Sequence, residues 1–259
     1  MLRDIQSEHD TRNIEINRVG VSELFYPIKV FDKAHKSQNT VAKIKLSVNL
    51  SPRFRGTHMS RFIEVLNEYR GEIAMWKVFE ILEKLKTKLD SNSAEIEIEF
   101  PYFIEKTAPK TGTKSIMQYN CKFIGKLDTR RDFLLEIVVP IMTLCPCSKE
   151  ISEKGAHNQR AMAQVAVRFT EFVWIEDLIQ IIENCASSPV YSILKREDEK
   201  FVTEHAYEHP AFVEDVARDI AKKLDEIKEI IWYRIHVESF ESIHNHNAFA
   251  HIEKWKSQK

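Results

Sequence analysis

The segment Ala94–Phe100 alternates without a break, with Ala94, Ile96, Ile98 and Phe100 on one side and Glu95, Glu97 and Glu99 on the other. A strand with one face in a core and the other in water satisfies that pattern, so the chain must build a sheet covered on a single side. Ala42, Ile44, Leu46, Val48 and Leu50 repeat the alternation against Lys43, Lys45, Ser47 and Asn49. Between these strands lie two helical patterns. One near 60–69 carries Phe62, Ile63, Val65 and Leu66, and one near 73–89 places Val78, Ile81, Leu82 and Leu85 on one stripe. A further strand is expected over 115–124.

The second half reads similarly. A strand over 133–144 and one carrying Ala163, Val165, Val167 and Phe169 precede helical patterns near 175–185 and 210–227. In the second of these helices Pro210 suits the first turn, and Val213, Val216, Ala217, Ile220 and Leu224 form the buried stripe. Strands over 231–237 and near 244–254 close the chain. Each half thus fits the order strand, strand, helix, helix, strand, strand, which divides the chain into 1–128 and 129–259 with no linker between. Connections too short for crossover helices make the sheets antiparallel, and the fold class is α+β.

Composition argues against several classes of function. Lys and Arg total 38 against 39 Asp and Glu, a near-neutral balance unlike that of a dedicated nucleic-acid binder. The six glycines lie far apart, so neither a dinucleotide fingerprint nor a P-loop is present. The longest apolar stretch, 137–144, is interrupted by Pro140 and Thr143 and cannot span a bilayer. Four cysteines do not make a disulfide framework, and the polar N-terminus lacks a secretory core, so a cytoplasmic protein with reduced thiols is expected.

Four segments carry chemistry. LCPCSKEISEKGAHNQRA contains Cys145, Cys147 and His157, natural ligands of zinc and neighbouring divalent metals. If the strand continues, Cys145 and Cys147 share a face, and one ligand beside one reactive thiol is the division that spacing favours. Two thiols packed at a strand end are the alternative. ESFESIHNHNAFAHIEKW holds Glu238, Glu241, His244, His246 and His251, a cluster that could complete the same coordination sphere or form a solvated polar face. In the third segment Glu199 sits in a polar loop where it could reach a metal, and Glu214 stands near the positive end of a helix. There a carboxylate can accept two parallel N–H bonds from a planar heterocycle edge. Glu197, Asp198, Glu199, Glu204 and Glu208 otherwise read as a solvated charged surface. Finally, SPRFRGTHMSRF crowds Arg53, Arg55, His58 and Arg61 before a helix that Thr57 or Ser60 can cap, either a polyphosphate cradle or a basic helix cap paired with acids.

These motifs together, FRGTHMSRF, LCPCSKEIS with GAHNQRA, DEKFVTEHAY, the helix of Glu214 and ESIHNHNAFA, resemble the type IB GTP cyclohydrolase I family over most of the chain. The resemblance implies a tandem tunnelling fold assembled as a homotetramer with active sites at subunit interfaces. It implies conversion of GTP and water to 7,8-dihydroneopterin triphosphate and formate, the first step toward tetrahydrofolate. Cys145, His157, Glu199, His244 and Glu241 are then the expected metal shell, with Cys147 as a catalytic or metal-adjacent thiol and the choice between the cysteines open. Zinc, manganese and ferrous iron all suit such a donor set. Glu214 would anchor the guanine edge, and Arg53, Arg55, His58 and Arg61 the triphosphate. Two rivals predict different metal content: a nitrile reductase of the same fold, using NADPH and a thiol without metal, and a binding protein with a closed structural metal site.

Overall fold

The computed structural model describes residues 4–256. Nine strands and six helices follow one another: β1 (Ile16–Asp32), β2 (Lys36–Leu50), α1 (Met59–Glu68), α2 (Val78–Leu89), β3 (Ala94–Thr107), β4 (Lys114–Leu127), β5 (Arg131–Leu144), α3 (Pro146–Ile151), β6 (Asn158–Phe169), α4 (Ile175–Asn184), β7 (Ser188–Pro189), α5 (Arg196–Glu208), α6 (Val213–Glu226), β8 (Ile230–Ser239) and β9 (Ala248–Trp255). They form two compact units. The first holds the described residues up to Pro101 together with Lys122–Leu134, and the second holds Tyr102–Cys121 and the residues from Leu135 onward. Strands β3, β4 and β5 contribute residues to both.

In the first unit the strands run in the order β1-β2-β3-β4-β5, and the β1–β2 and β2–β3 pairings are antiparallel. Alternation does most of what it must: Ala42, Ile44, Leu46, Val48, Ala94, Ile96, Ile98 and Phe100 are all buried, and Lys43, Lys45, Glu95, Glu97 and Glu99 between them reach water, whereas Ser47 is itself buried. Phe62, Val65 and Leu66 of α1 and Val78, Ile81, Leu82 and Leu85 of α2 are buried with them. At Gly125 the packing is so close that a Cβ would stand 2.3 Å from Val78 Cγ1 and 3.2 Å from Ile96 Cγ2, so only glycine fits between helix and sheet.

Two features differ from the sequence reading here. Strand β1 lies ahead of the first expected strand. Its register shifts between Ile16 and Val19 and again between Val21 and Leu24, with Glu23 at φ +58°, so the bulges break the alternation that would have betrayed it. Helix α1 is capped by neither Thr57 nor Ser60, because His58 occupies the N-cap position and makes no side-chain cap bond.

The second unit orders its strands β3-β4-β5-β6-β8-β9, with β7 paired to β5. Antiparallel registers set Thr143 opposite Gln159 and Ala161 opposite Ser239. Ile175, Leu178, Ile179 and Ile182 of α4 and Val213, Val216, Ala217, Ile220 and Leu224 of α6 are buried as their spacing requires. Pro210 falls outside α6, which starts at Val213 with the Phe212 amide donating to Asp215 Oδ2 at 3.1 Å.

Glu199 lies on helix α5, not in a loop. Few apolar residues hold that helix; Asp198 pins it instead. Fully buried, its carboxylate accepts from the amides of Lys195 (3.0 Å), Lys110 (2.8 Å) and Thr111 (2.9 Å) and from Thr111 Oγ1 (2.7 Å). Burial pushes its pKa up, but those donors outweigh burial and hold the group well below the usual carboxylate range. Asp198 therefore belongs to the interior of its unit, not to a solvated surface. Among the described residues no helix is long and apolar enough to cross a membrane.

Candidate active site

Backbone bonds in the second unit bring five chain segments to one corner. Strand β5 ends at Leu144, and Cys145 becomes the N-cap of α3, its Sγ accepting from the Ser148 amide at 3.3 Å. The Cys145 amide donates to the His157 carbonyl (3.1 Å), while the His157 amide donates to Ser148 Oγ (3.3 Å), so the loop from 152 to 156 returns to its own start. The Ala211 amide donates to the Leu144 carbonyl (3.1 Å), which draws the beginning of α6 over the same strand end. The Phe240 amide donates to the Arg160 carbonyl (3.0 Å), fixing the exit of β8 beside β6.

The corner encloses a cavity of about 300 Å³ whose lining includes Cys145, His157, Glu214, Glu241, His244 and His246. Thiol, imidazole and carboxylate thus face one space although up to 101 residues separate them in sequence. His244 and His246 occupy the loop before β9, not a strand face, with their rings stacked 5.2 Å apart at 18°. Glu214 is exposed in the first turn of α6, at the positive end of the helix macrodipole.

Four residues that the sequence reading did not single out complete the corner: Thr143, Gln159, Ser239 and Ser242. Gln159 Oε1 lies 3.0 Å from His157 Nδ1 and accepts from Ser242 Oγ at 3.3 Å. Its Nε2 donates to Thr143 Oγ1 (3.2 Å) and Glu241 Oε1 (3.3 Å). Thr143 Oγ1 and Ser239 Oγ, both buried, stand 3.2 Å apart. One signal was available, since Gln159 follows His157 by two residues at the start of a strand.

The remaining expected residues lie elsewhere. Cys147 is on α3, exposed and not part of the cavity lining; a helical turn, unlike a strand, does not put residues two apart on one face. Glu199 lines a separate, open depression with Arg196, Lys200, Thr203 and Glu204. His251 faces His236 across the β8–β9 pair, ring centroids 6.0 Å apart. The basic segment belongs to the first unit. There Arg55 Nη1 bonds Glu8 Oε2 (3.4 Å), His58 Nε2 lies 3.2 Å from Asp4 Oδ2, Arg61 Nη1 donates to the Lys88 carbonyl (3.1 Å), and the Arg53 carbonyl accepts the Asp10 amide (3.1 Å).

Cys145, His157, His244 and Glu241 form a mixed thiolate, imidazole and carboxylate set whose chemistry fits a divalent ion of the zinc, manganese or ferrous type. Among the described residues, no three His, Cys, Asp or Glu side chains stand close enough together to hold a metal ion as they are.

A family model described as type I GTP cyclohydrolase folE2 matches residues 2–250. GTP cyclohydrolase FolE2 of Geotalea uraniireducens is 56% identical over 258 residues, covering 100% of this chain and 95% of that protein. The protein of the same name from Syntrophotalea carbinolica is 54% identical, with 97% and 95% covered. Among solved structures, uricase from Arthrobacter globiformis superposes with a TM-score of 0.54 at 7% identity, over 94% of this chain and 95% of that one. A uricase from Bacillus fastidious gives 0.56 at 7%, over 92% of each. At such identities the likeness is one of fold alone, a mixed α+β architecture with a large antiparallel sheet.

Proposed function

The chain belongs to the type I GTP cyclohydrolase FolE2 family, and from that membership we infer that the cavity at the Cys145 corner is where it acts on GTP. It is a GTP cyclohydrolase of folate biosynthesis. Within that activity, our reading assigns it to the type IB enzymes and to the overall reaction of GTP and water giving 7,8-dihydroneopterin triphosphate and formate. The supporting observation is the single cavity that Cys145, His157, Glu214, Glu241 and His244 line together.

Opening the imidazole ring of guanine requires water at C8, proton delivery to the departing nitrogens, and a second round of proton movement as the pterin ring closes. Cys145, His157, His244 and Glu241 are the proposed holders of a divalent ion. An ion held by them would make water a better nucleophile near neutral pH. Glu214 accepts the N1 and N2 hydrogens of guanine as a bidentate pair, which orients the base and selects it over adenine. The partly open cavity admits water as well as the base, as a hydrolytic reaction needs.

The other parts of the proposal concern assembly. A tandem of tunnelling modules, 1–128 and 129–259, forms a homotetramer in the cytoplasm with active sites at subunit interfaces. Arg53, Arg55, His58 and Arg61 bind the triphosphate in that assembly. Glu199, outside the cavity of its own subunit, joins the metal shell across an interface, and Cys147 is a thiol adjacent to the metal site.

The experiment is direct: the purified chain is incubated with GTP, formate is measured, and pterin fluorescence is followed after oxidation. Chelation should abolish turnover, and one of zinc, manganese or ferrous iron should restore it. Undiminished formate release by rigorously metal-free protein would overturn the metal role. Loss of turnover in a Cys147→Ala variant with Cys145→Ala fully active would overturn the assignment of the cavity.

A further inference from the structure

Gln159 has no assigned role in the reaction, yet it contacts three other residues of the cavity lining. Its amide nitrogen lies 3.3 Å from Glu241 Oε1 and 3.2 Å from Thr143 Oγ1, and its amide oxygen lies 3.0 Å from His157 Nδ1 and 3.3 Å from Ser242 Oγ. An ionised carboxylate only accepts hydrogen bonds, so the end of the amide facing Glu241 must be the NH2. The oxygen therefore faces His157. Opposite a carbonyl oxygen the ring nitrogen has to be a donor, which puts the proton on Nδ1 and leaves the lone pair of the neutral ring on Nε2. Flipping the amide would set oxygen against the Glu241 oxygen and is excluded by the same rule.

The amide itself is held from the core side. Thr143 stands directly across the β5–β6 pair from Gln159, is 2% exposed, and meets the fully buried Ser239 at 3.2 Å. Thr143 thus accepts from Gln159 and completes its own bonding inside the sheet, where neither hydroxyl can trade its partner for water. Hydrogen bonds thus tie one planar amide to a pair of buried hydroxyls on one side and to an imidazole and a carboxylate on the other, the Gln159 nitrogen donating to Thr143 and Glu241.

We propose that Gln159 is a positioning residue: one amide that fixes the tautomer of His157 and the orientation of Glu241 together, so that the ring presents an unprotonated Nε2. The proposal rests on the reading that this cavity holds a divalent ion, since a ligating or proton-accepting imidazole needs that nitrogen free. It deepens that reading by naming the group that prepares the ligand before any ion arrives.

Two full-length variants test it, Gln159→Leu and Gln159→Glu, with histidine ring nitrogens labelled with 15N and spectra recorded on metal-free protein where His157 is neutral. Wild type should show His157 as the Nδ1–H tautomer. The Glu variant should keep it, because a carboxylate still accepts from Nδ1–H, whereas the Leu variant should populate the Nε2–H form. Zn2+ affinity, measured by competition with a chromophoric chelator, should fall roughly 10- to 100-fold in the Leu variant. A Leu variant that retains only Nδ1–H and binds Zn2+ as tightly as wild type overturns the proposal. Should the Leu variant fail to fold, loss of Nδ1–H in the Glu variant overturns it equally. Wild-type protein that shows the Nδ1–H tautomer but binds no Zn2+ contradicts the metal reading alone and supports the tautomer assignment.

Discussion

Replacing Glu214 by Gln probes substrate selection with the least disturbance of the fold. The side chain is exposed at the second position of α6 and lines the cavity. A carboxylate accepts both guanine N–H groups; an amide keeps one acceptor and turns its own NH2 against the second donor. Hydrogen bonds to charged groups contribute about 1.5–3 kcal/mol each. One of the two is lost and the other becomes neutral, so the loss is about 3 kcal/mol, roughly a hundredfold in affinity. The helix loses a negative charge at its positive end, which costs about 0.3–1 kcal/mol of stability at an exposed position. Calorimetric titration of metal-free protein with GTP measures the first quantity without turnover, and urea unfolding the second. Inosine triphosphate lacks the N2 amino group, so wild type should prefer GTP over it and the variant should not. A GTP affinity within threefold of wild type, or unchanged preference for GTP over the inosine nucleotide, would refute the anchoring argument.

Three further outcomes are expected. Gly125→Ala should lower the urea midpoint by the equivalent of about 1–3 kcal/mol at unchanged m-value, because the new methyl meets Val78 at 2.3 Å. Lys106, largely buried with Nζ 2.7 Å from both Glu183 Oε1 and the Val190 carbonyl, can be changed to Met; this strands a buried carboxylate that retains Tyr119 as a donor at 2.8 Å, at a cost of about 3–5 kcal/mol in chemical denaturation. Burial lowers the Lys106 pKa below its ordinary 10.5, with Glu183 opposing, so the unfolded chain holds the proton more tightly; this group's contribution to stability should rise as pH climbs from its folded pKa through 10.5, a slope absent in the Met variant. Finally, Cys145→Ser should weaken Zn2+ binding far more than Cys147→Ser, measured by chelator competition, because only Cys145 lines the cavity.

How much of this was legible in advance depended on the range of the interactions concerned. Strands β2 and β3 and helices α1, α2, α4 and α6 declared themselves through alternation or a helical stripe, since both patterns record which side of a local element is buried. Strand β1 did not, because its two bulges interrupt the period. Helix α5 was hidden for a different reason: Asp198, which anchors it, bonds to Lys110 and Thr111, 88 and 87 residues away. No local window contains that information.

The candidate site divides along the same line. Cysteine, histidine and glutamate advertise their chemistry by residue type, so Cys145, His157, Glu214, Glu241 and His244 could be nominated from the chain alone. Sequence also determined that amphipathic helices bury their apolar stripes in an α+β fold with antiparallel strands, because burial periodicity is a local property. Only the folded structure separated Cys145 from Cys147, set Glu199 on a helix away from the cavity, and brought Gln159 to His157 and Glu241. Those outcomes follow from where strand β5 stops and from the register of β5 on β6, and a register is a relation between distant segments that neither segment encodes by itself.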